Sequence, residues 1–153
     1  MLTTGTPAPP FTGQDHEAQP LSLSDFSGRW LLIWWYPAAN TAGCTLQGQS
    51  LATNAQKFTE KNCEIVGMSF DSVEDNAAFR AKHNFPFPLV SDPDKQIGAA
   101  YLAVRDDSES YASFARRISY LINPEGIIVS SYTVIDPGGH ATDVLADLEA
   151  EQR

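Results

Sequence analysis

Cys44 closes the segment Tyr36-Pro37-Ala38-Ala39-Asn40-Thr41-Ala42-Gly43-Cys44. A continuous apolar run, Trp30 to Tyr36, precedes this loop. An apolar stripe at Leu51, Ala55 and Phe58 follows it at i, i+4 and i+7. That order puts the cysteine in the first turn of a helix entered from a strand. A helix N-terminus offers unpaired N–H groups and a partial positive charge. Both favour thiolate over thiol, and the thiolate is the nucleophile. Sulfur chemistry on a small electrophile is one reading of Cys44. A buried, inert cysteine is the other, since free cysteines commonly serve as small apolar residues. Position alone leaves both open.

The elements that must carry this loop are legible. Trp30 to Tyr36, stopped by Pro37, has the length and the aromatic and branched content of a strand buried on both faces. The spacing predicts one helix from about Gly43 to Lys61 and a strand from Cys63 to Phe70. Ser72 with Asp75 three residues on opens a helix to about His83. Phe85 to Val90 is extended, because each proline disfavours helix at the residue before it, and a short helix lies within Pro93 to Tyr101. Arg117–Ile122 and Ile127–Ile135 read as strands joined by the turn Asn123-Pro-Glu-Gly126. Ala141, Val144, Leu145 and Leu148 mark a C-terminal amphipathic helix. Prolines 7, 9, 10 and 20 indicate an irregular N-terminal extension, followed by a short strand and capped turn over Leu21 to Gly28. Strand–helix–strand followed by hairpin–helix is an α/β, thioredoxin-like order with a mixed central sheet between helices. Ligands in such sheets sit at the carboxyl ends of strands, here the loop after Tyr36.

Composition excludes several function classes. The 153 residues fit one domain, 1–153, and at 42% hydrophobic and 19% charged the chain reads as a packed globular protein. A net charge of −9 with no basic run provides no electrostatic footprint for nucleic acid or an anionic membrane. The longest apolar run falls far short of the ~20 residues of a membrane span, and no signal peptide is visible. Two cysteines make no disulfide framework, so a cytoplasmic setting is the expectation. The histidines, His16, His83 and His140, show no metal-ligand spacing, and no cofactor is expected.

Pro37-x-x-x-Thr41-x-x-Cys44 resembles the active-site motif of the peroxiredoxins, Pro-x-x-x-Thr/Ser-x-x-Cys. The similarity covers nearly the whole chain. Gly5-Thr-Pro-Ala-Pro-Pro-Phe11, Leu21 to Gly28 and Arg117-Ile-Ser-Tyr-Leu-Ile-Asn-Pro-Glu-Gly126 resemble further landmarks in the family's order. Tyr36 to Thr45 is similar to the corresponding run of the bacterioferritin comigratory protein (Q-type) branch. The resemblance implies a thiol peroxidase in which Cys44 attacks hydrogen peroxide or an organic hydroperoxide and becomes a sulfenic acid. Arg117 would stabilise the thiolate and hold the peroxide oxygens with its fork of donors. Thr41 would donate to thiolate or peroxide and accept the peroxide proton, or act as a plain helix N-cap. The N–H groups of Gly43 and Cys44 would form an anion hole. Pro37 would shield the pocket and Gln47 would hold Arg117. Trp34, Trp35 and Tyr36 alternate across their strand, so two of them read as core, with Tyr36 or Trp35 lining the substrate site. Arg116, on the opposite side of its strand, is expected to be solvated.

Two positions depart from the family pattern. Gln47 stands where many members carry a glutamate. Gln49 stands where many Q-type members carry a resolving cysteine. The other cysteine, Cys63, is nineteen residues beyond Cys44, and one helix over 44–61 would be about 25–27 Å long. A disulfide needs Cα atoms within about 7 Å. Cys63 is therefore read as a structural strand cysteine, and the mechanism as one-cysteine. An external thiol (thioredoxin, glutaredoxin or a small thiol) would recycle Cys44. The oligomeric state is left open between monomer and homodimer. The alternative function is a non-enzymatic redox sensor or binding module on the same fold. A disulfide oxidoreductase is disfavoured because the chain has no Cys-x-x-Cys.

Overall fold

The apolar run Trp30–Trp35 forms strand β3, and its two-residue period sends side chains to both sides of a sheet. Leu31, Ile33 and Trp35 enter one apolar cluster, while Leu32, Trp34 and the adjoining Tyr36 enter the other. The computed structural model describes residues 1–153. Its seven strands are β1 (Thr12–Gln14), β2 (Pro20–Ser22), β3, β4 (Cys63–Ser69), β5 (Leu89–Ser91), β6 (Ile118–Ile122) and β7 (Ile128–Thr133). They form one mixed sheet in the order β2-β1-β5-β4-β3-β6-β7. β3 and β4 run parallel, as do β4 and β5, whereas β6 lies antiparallel to β3. β1 and β2 extend the sheet edge as a hairpin; β2 and the capped turn after it, Leu23–Phe26, fall where a short strand and turn are expected, while β1 falls where prolines indicated irregular chain. The β6–β7 turn is closed by Asn123, whose Oδ1 accepts from the N–H groups of Glu125 and Ile127, with Gly126 at φ +79°.

The helices are α1 (Ala42–Thr53), α2 (Ala55–Glu60), α3 (Val73–His83), α4 (Gln96–Ala100) and α5 (His140–Glu151). No helix is long and apolar enough to cross a membrane. The single helix expected over 43–61 is two. Asn54 donates its Nδ2 to the Ser50 carbonyl at 2.8 Å, sharing that acceptor with its own backbone N–H at 3.2 Å, and a new helix starts at Ala55. The capped start of α3 is as its sequence indicates, with Ser72 Oγ accepting from Asp75 N–H.

α1 turns Cys44, Gln47, Gly48 and Leu51 inward, at i, i+3, i+4 and i+7. Gly48 permits this packing, since a Cβ there would lie 2.4 Å from the Phe85 ring. On α5 the stripe Ala141, Val144 and Leu148 is fully buried.

His140 opens α5 in an apolar setting, its Nε2 2.9 Å from Ser119 Oγ and its ring edge-on to Tyr132. Burial pushes its pKa down to about 4, with Asp143 and Asp147 partly opposing. The folded value lies below the unfolded one, so the stabilising effect is complete above about pH 6.5 and is lost as pH falls towards 4. The effect is about 3 kcal/mol across that window. Asp92, pushed up to about 6 mainly by burial, acts in the opposite sense over part of the same range. Denaturation curves from pH 7 to 4 on wild type and His140→Gln separate the two, because Asp92 is common to both. The difference in stability should shrink by about 3 kcal/mol over that range. Parallel curves would rule His140 out as the titrating group.

Candidate active site

Strand β3 ends at Trp35, and the chain passes through Tyr36 and Pro37 into the loop before α1. Cys44 is therefore delivered to the C-terminal end of β3, with its side chain turned toward the sheet and fully buried. No backbone carbonyl accepts from the N–H groups of Gly43 or Cys44. The first turn of α1 thus presents free donors beside the sulfur.

Arg117, just before β6, reaches across to α1. Its Nη2 lies 3.4 Å from Cys44 Sγ, and its Nη1 donates to Gln47 Oε1 at 2.9 Å. One guanidinium thus joins the sulfur to the amide three residues along the same helix. No carboxylate forms a salt bridge with Arg117, so its charge is directed at the sulfur. Gln47 is fully buried, and its Nε2 has no partner. A buried orphan donor of this kind costs about 1–3 kcal/mol.

Gly43 has a steric role beside its N–H. A Cβ there would lie 2.8 Å from Arg117 Nη2. The guanidinium is the far end of a flexible side chain, so it would yield before the backbone did. Gly43→Ala should slow the reaction of Cys44 with peroxide by about 10- to 100-fold, with little change in melting temperature. Stopped-flow rates and thermal melts check this. An unchanged rate would mean that the guanidinium need not sit where it does.

Three expectations are corrected by geometry. Thr41 is the residue before α1, but its side chain caps nothing. Its hydroxyl donates to the Ala38 carbonyl at 2.7 Å, which leaves its oxygen lone pairs as acceptors rather than its proton as a donor to sulfur. Tyr36 does not line an open substrate surface. It is fully buried, its ring packs on Trp34 and Phe79, and its hydroxyl donates to Asn76 Oδ1 at 2.6 Å. Burial raises its pKa well above the ordinary tyrosine value, so it stays a donor. Arg116 is not free in solvent: both its terminal nitrogens bond Glu109, at 2.9 and 2.7 Å. Pro37 is half-buried at the mouth of the loop.

Cys63 begins β4 opposite Trp30, at the other end of the strands from Cys44. Six strand residues separate the two ends, about 20 Å. Both thiols are free. Burial pushes the Cys63 thiol up to about 12, which keeps it protonated and unreactive at neutral pH. No three His, Cys, Asp or Glu side chains come together as a metal site.

The residues that composition and motif did not single out are Ser69, Asp71, Asn76 and Ser91. They form a polar group under the loop, buried but for the partly exposed Asp71. Ser69, Asp71 and Ser91 lie at the carboxyl ends of β4 and β5, where sites on such sheets are built, and Asn76 comes from the first turn of α3.

Residues 4–131 match the model of the AhpC/TSA family. Peroxiredoxin Bcp of Xanthomonas campestris is 34% identical over 144 residues, covering 88% of this chain and 90% of the relative. The chloroplastic peroxiredoxin Q of Sedum lineare is 32% identical over 150 residues, covering 97% and 79%. Among solved structures, a cysteine-to-serine mutant of Xylella fastidiosa PrxQ superposes with TM-score 0.93 at 28% identity, covering 100% and 99%. The bacterioferritin comigratory protein of X. campestris, described for its alkyl peroxide reduction activity, superposes with TM-score 0.87 at 30% identity, covering 94% and 92%.

Proposed function

Because the chain belongs to the AhpC/TSA family of peroxiredoxins, which are thiol peroxidases, we propose that Cys44 is its peroxidatic cysteine and works by a one-cysteine mechanism. The observation that carries this reading is the Arg117 guanidinium, 3.4 Å from Cys44 Sγ and paired with no carboxylate. The thiolate attacks one peroxide oxygen, the O–O bond breaks, and alkoxide or hydroxide leaves. Sulfur is oxidised to sulfenic acid, and the leaving oxygen takes a proton from solvent. Negative charge moves from sulfur to oxygen, and Arg117 with the N–H groups of Gly43 and Cys44 spans that path. Thr41, its own proton committed to Ala38, accepts the hydrogen bond of the incoming hydroperoxide.

The substrates are hydrogen peroxide and organic hydroperoxides, with alkyl peroxides favoured by likeness to the X. campestris protein. The sulfenic acid is returned to thiol by an external reductant: a thioredoxin, a glutaredoxin or a small thiol. Glutamine at 49 and the remoteness of Cys63 support this over an internal disulfide. All seven strands joining one sheet supports residues 1–153 acting as one domain.

Intact mass after a substoichiometric peroxide pulse, with and without a sulfenic-acid trap, tests the mechanism. One trapped sulfenic acid at Cys44 is the expected result. A loss of two protons with Cys44 joined to Cys63 would replace the one-cysteine mechanism with an internal disulfide. A rate with peroxide no faster than that of free cysteine would favour the redox-sensor alternative.

A further inference from the structure

Five polar side chains lie beneath the loop that carries Pro37 and Thr41, and the peroxide reaction as derived above uses none of them. Their hydrogen bonds link them into one network, closed by the Asp71 N–H donating back to Ser69 Oγ at 3.2 Å. Tyr36 Oη donates to Asn76 Oδ1 at 2.6 Å. Asn76 Nδ2 donates to Ser91 Oγ at 2.9 Å and to Ser69 Oγ at 3.1 Å. Ser69 Oγ donates to Asp71 Oδ2 at 2.7 Å. The same oxygen of Asp71 accepts the backbone N–H of Ala39 at 2.9 Å. Tyr36, Ser69 and Asn76 are fully buried and Ser91 nearly so. Burying this many polar groups is unfavourable unless every one is satisfied and the set fixes something.

What it fixes is the loop. Ala39 stands between Pro37 and Thr41, and the carbonyl beside it, that of Ala38, holds the Thr41 hydroxyl. The Asp71 carboxylate is the single side-chain anchor of that stretch to the sheet. Its bond to an N–H is charge-assisted and hence directional. Cys44 and Arg117 are held differently, by α1 packing on the sheet and by the Gln47 amide. The position of the loop and the state of the sulfur therefore rest on separate contacts.

We infer that Asp71 is a positioning residue for peroxide reduction: through the Ala39 N–H it sets Pro37 and Thr41 against the sulfur, and Asn76 and Ser69 hold it in place. This rests on the reading of Cys44 as peroxidatic. Asp71 touches neither sulfur nor substrate. Its loss should misplace the peroxide while leaving the thiolate itself as reactive as before.

Two reactions of Cys44 distinguish these effects: oxidation by hydrogen peroxide and alkylation by iodoacetamide, which needs the thiolate but not Thr41. Asp71→Ala should slow peroxide oxidation by about 10-fold, with alkylation within about 2-fold of wild type. Asp71→Asn keeps an acceptor for Ala39 and Ser69 without the charge, and should recover to within about 3-fold of the wild-type peroxide rate. Ser69→Ala, which frees the carboxylate to turn, should show the same split with a smaller loss. It decides the question if Asp71→Ala does not fold. Peroxide and alkylation rates falling together would make Asp71 merely structural and overturn the proposal, as would an unchanged peroxide rate in both Asp71→Ala and Ser69→Ala. A wild-type peroxide rate equal to that of free cysteine would instead defeat the underlying peroxidase reading.

Discussion

Replacing Cys44 by serine should reduce peroxide consumption to below about a thousandth of wild type. The O–O bond is broken by a soft, anionic sulfur. A serine hydroxyl at the same place stays protonated at neutral pH, because Arg117 and two N–H groups cannot ionise an alcohol. The fold should be untouched: the exchange is nearly isosteric, and the new hydroxyl can bond Arg117. The matched control is Cys63→Ser, which should keep the wild-type rate. Cys63 is buried at the far end of the strands and is held protonated by its surroundings. Initial rates of peroxide loss with excess small thiol as reductant measure both variants. Activity surviving in Cys44→Ser, or lost in Cys63→Ser, would assign the chemistry to the wrong sulfur.

Arg117→Met should lower kcat/KM for peroxide by about 100- to 1000-fold, the range seen when one preorganised charge-stabilising donor is removed. Methionine keeps much of the aliphatic volume, so the effect reports the guanidinium. Arg117 serves the site in two ways, as a positive charge at the sulfur and as a two-pronged donor joining Cys44 to Gln47. Arg117→Lys separates them, since an ammonium keeps the charge but cannot span both partners. It should recover about one tenth of wild-type activity, leaving the rest to the fork. Full recovery in the lysine variant would show that charge alone matters and that Gln47 is dispensable. Gln47 makes this informative, because it holds the arginine through a neutral amide and leaves the full positive charge facing the sulfur.

Much of this molecule was legible along the chain because its causes are local. The run from Trp30 to Tyr36 had to be a strand covered on both faces, and its alternating side chains do enter two apolar clusters. Ser72 and Asp75 mark the start of α3, and Asn123 and Gly126 mark the β6–β7 turn. The α1–α2 break was missed for a reason that is also local but weak. Leu51, Ala55 and Phe58 keep helical spacing across it, and only the Asn54 side chain competes with the ladder. β2 was legible in Leu21 to Gly28, whereas β1 was obscured by the prolines before it, which an edge hairpin tolerates and a central strand does not.

The sequence by itself determined the motif and the start of the helix that carries Cys44. Pro37, Thr41 and Cys44 lie within eight residues, and their spacing survives any packing of the rest. It also ruled out the usual resolving cysteine, since position 49 is glutamine. Only the tertiary structure decided which way the supporting side chains face. Arg117 meets Gln47 from seventy residues away, and Asp71 meets Ala39 from thirty-two. Neither pairing has a periodicity or a cap to announce it; each follows from strands β4 and β6 flanking β3 in one sheet. Tyr36 turned out otherwise than expected for the same reason, whereas for Thr41 the cause is local. Asn76, from a later helix, takes the tyrosine hydroxyl, and the Ala38 carbonyl, three residues back in the loop, takes the threonine hydroxyl.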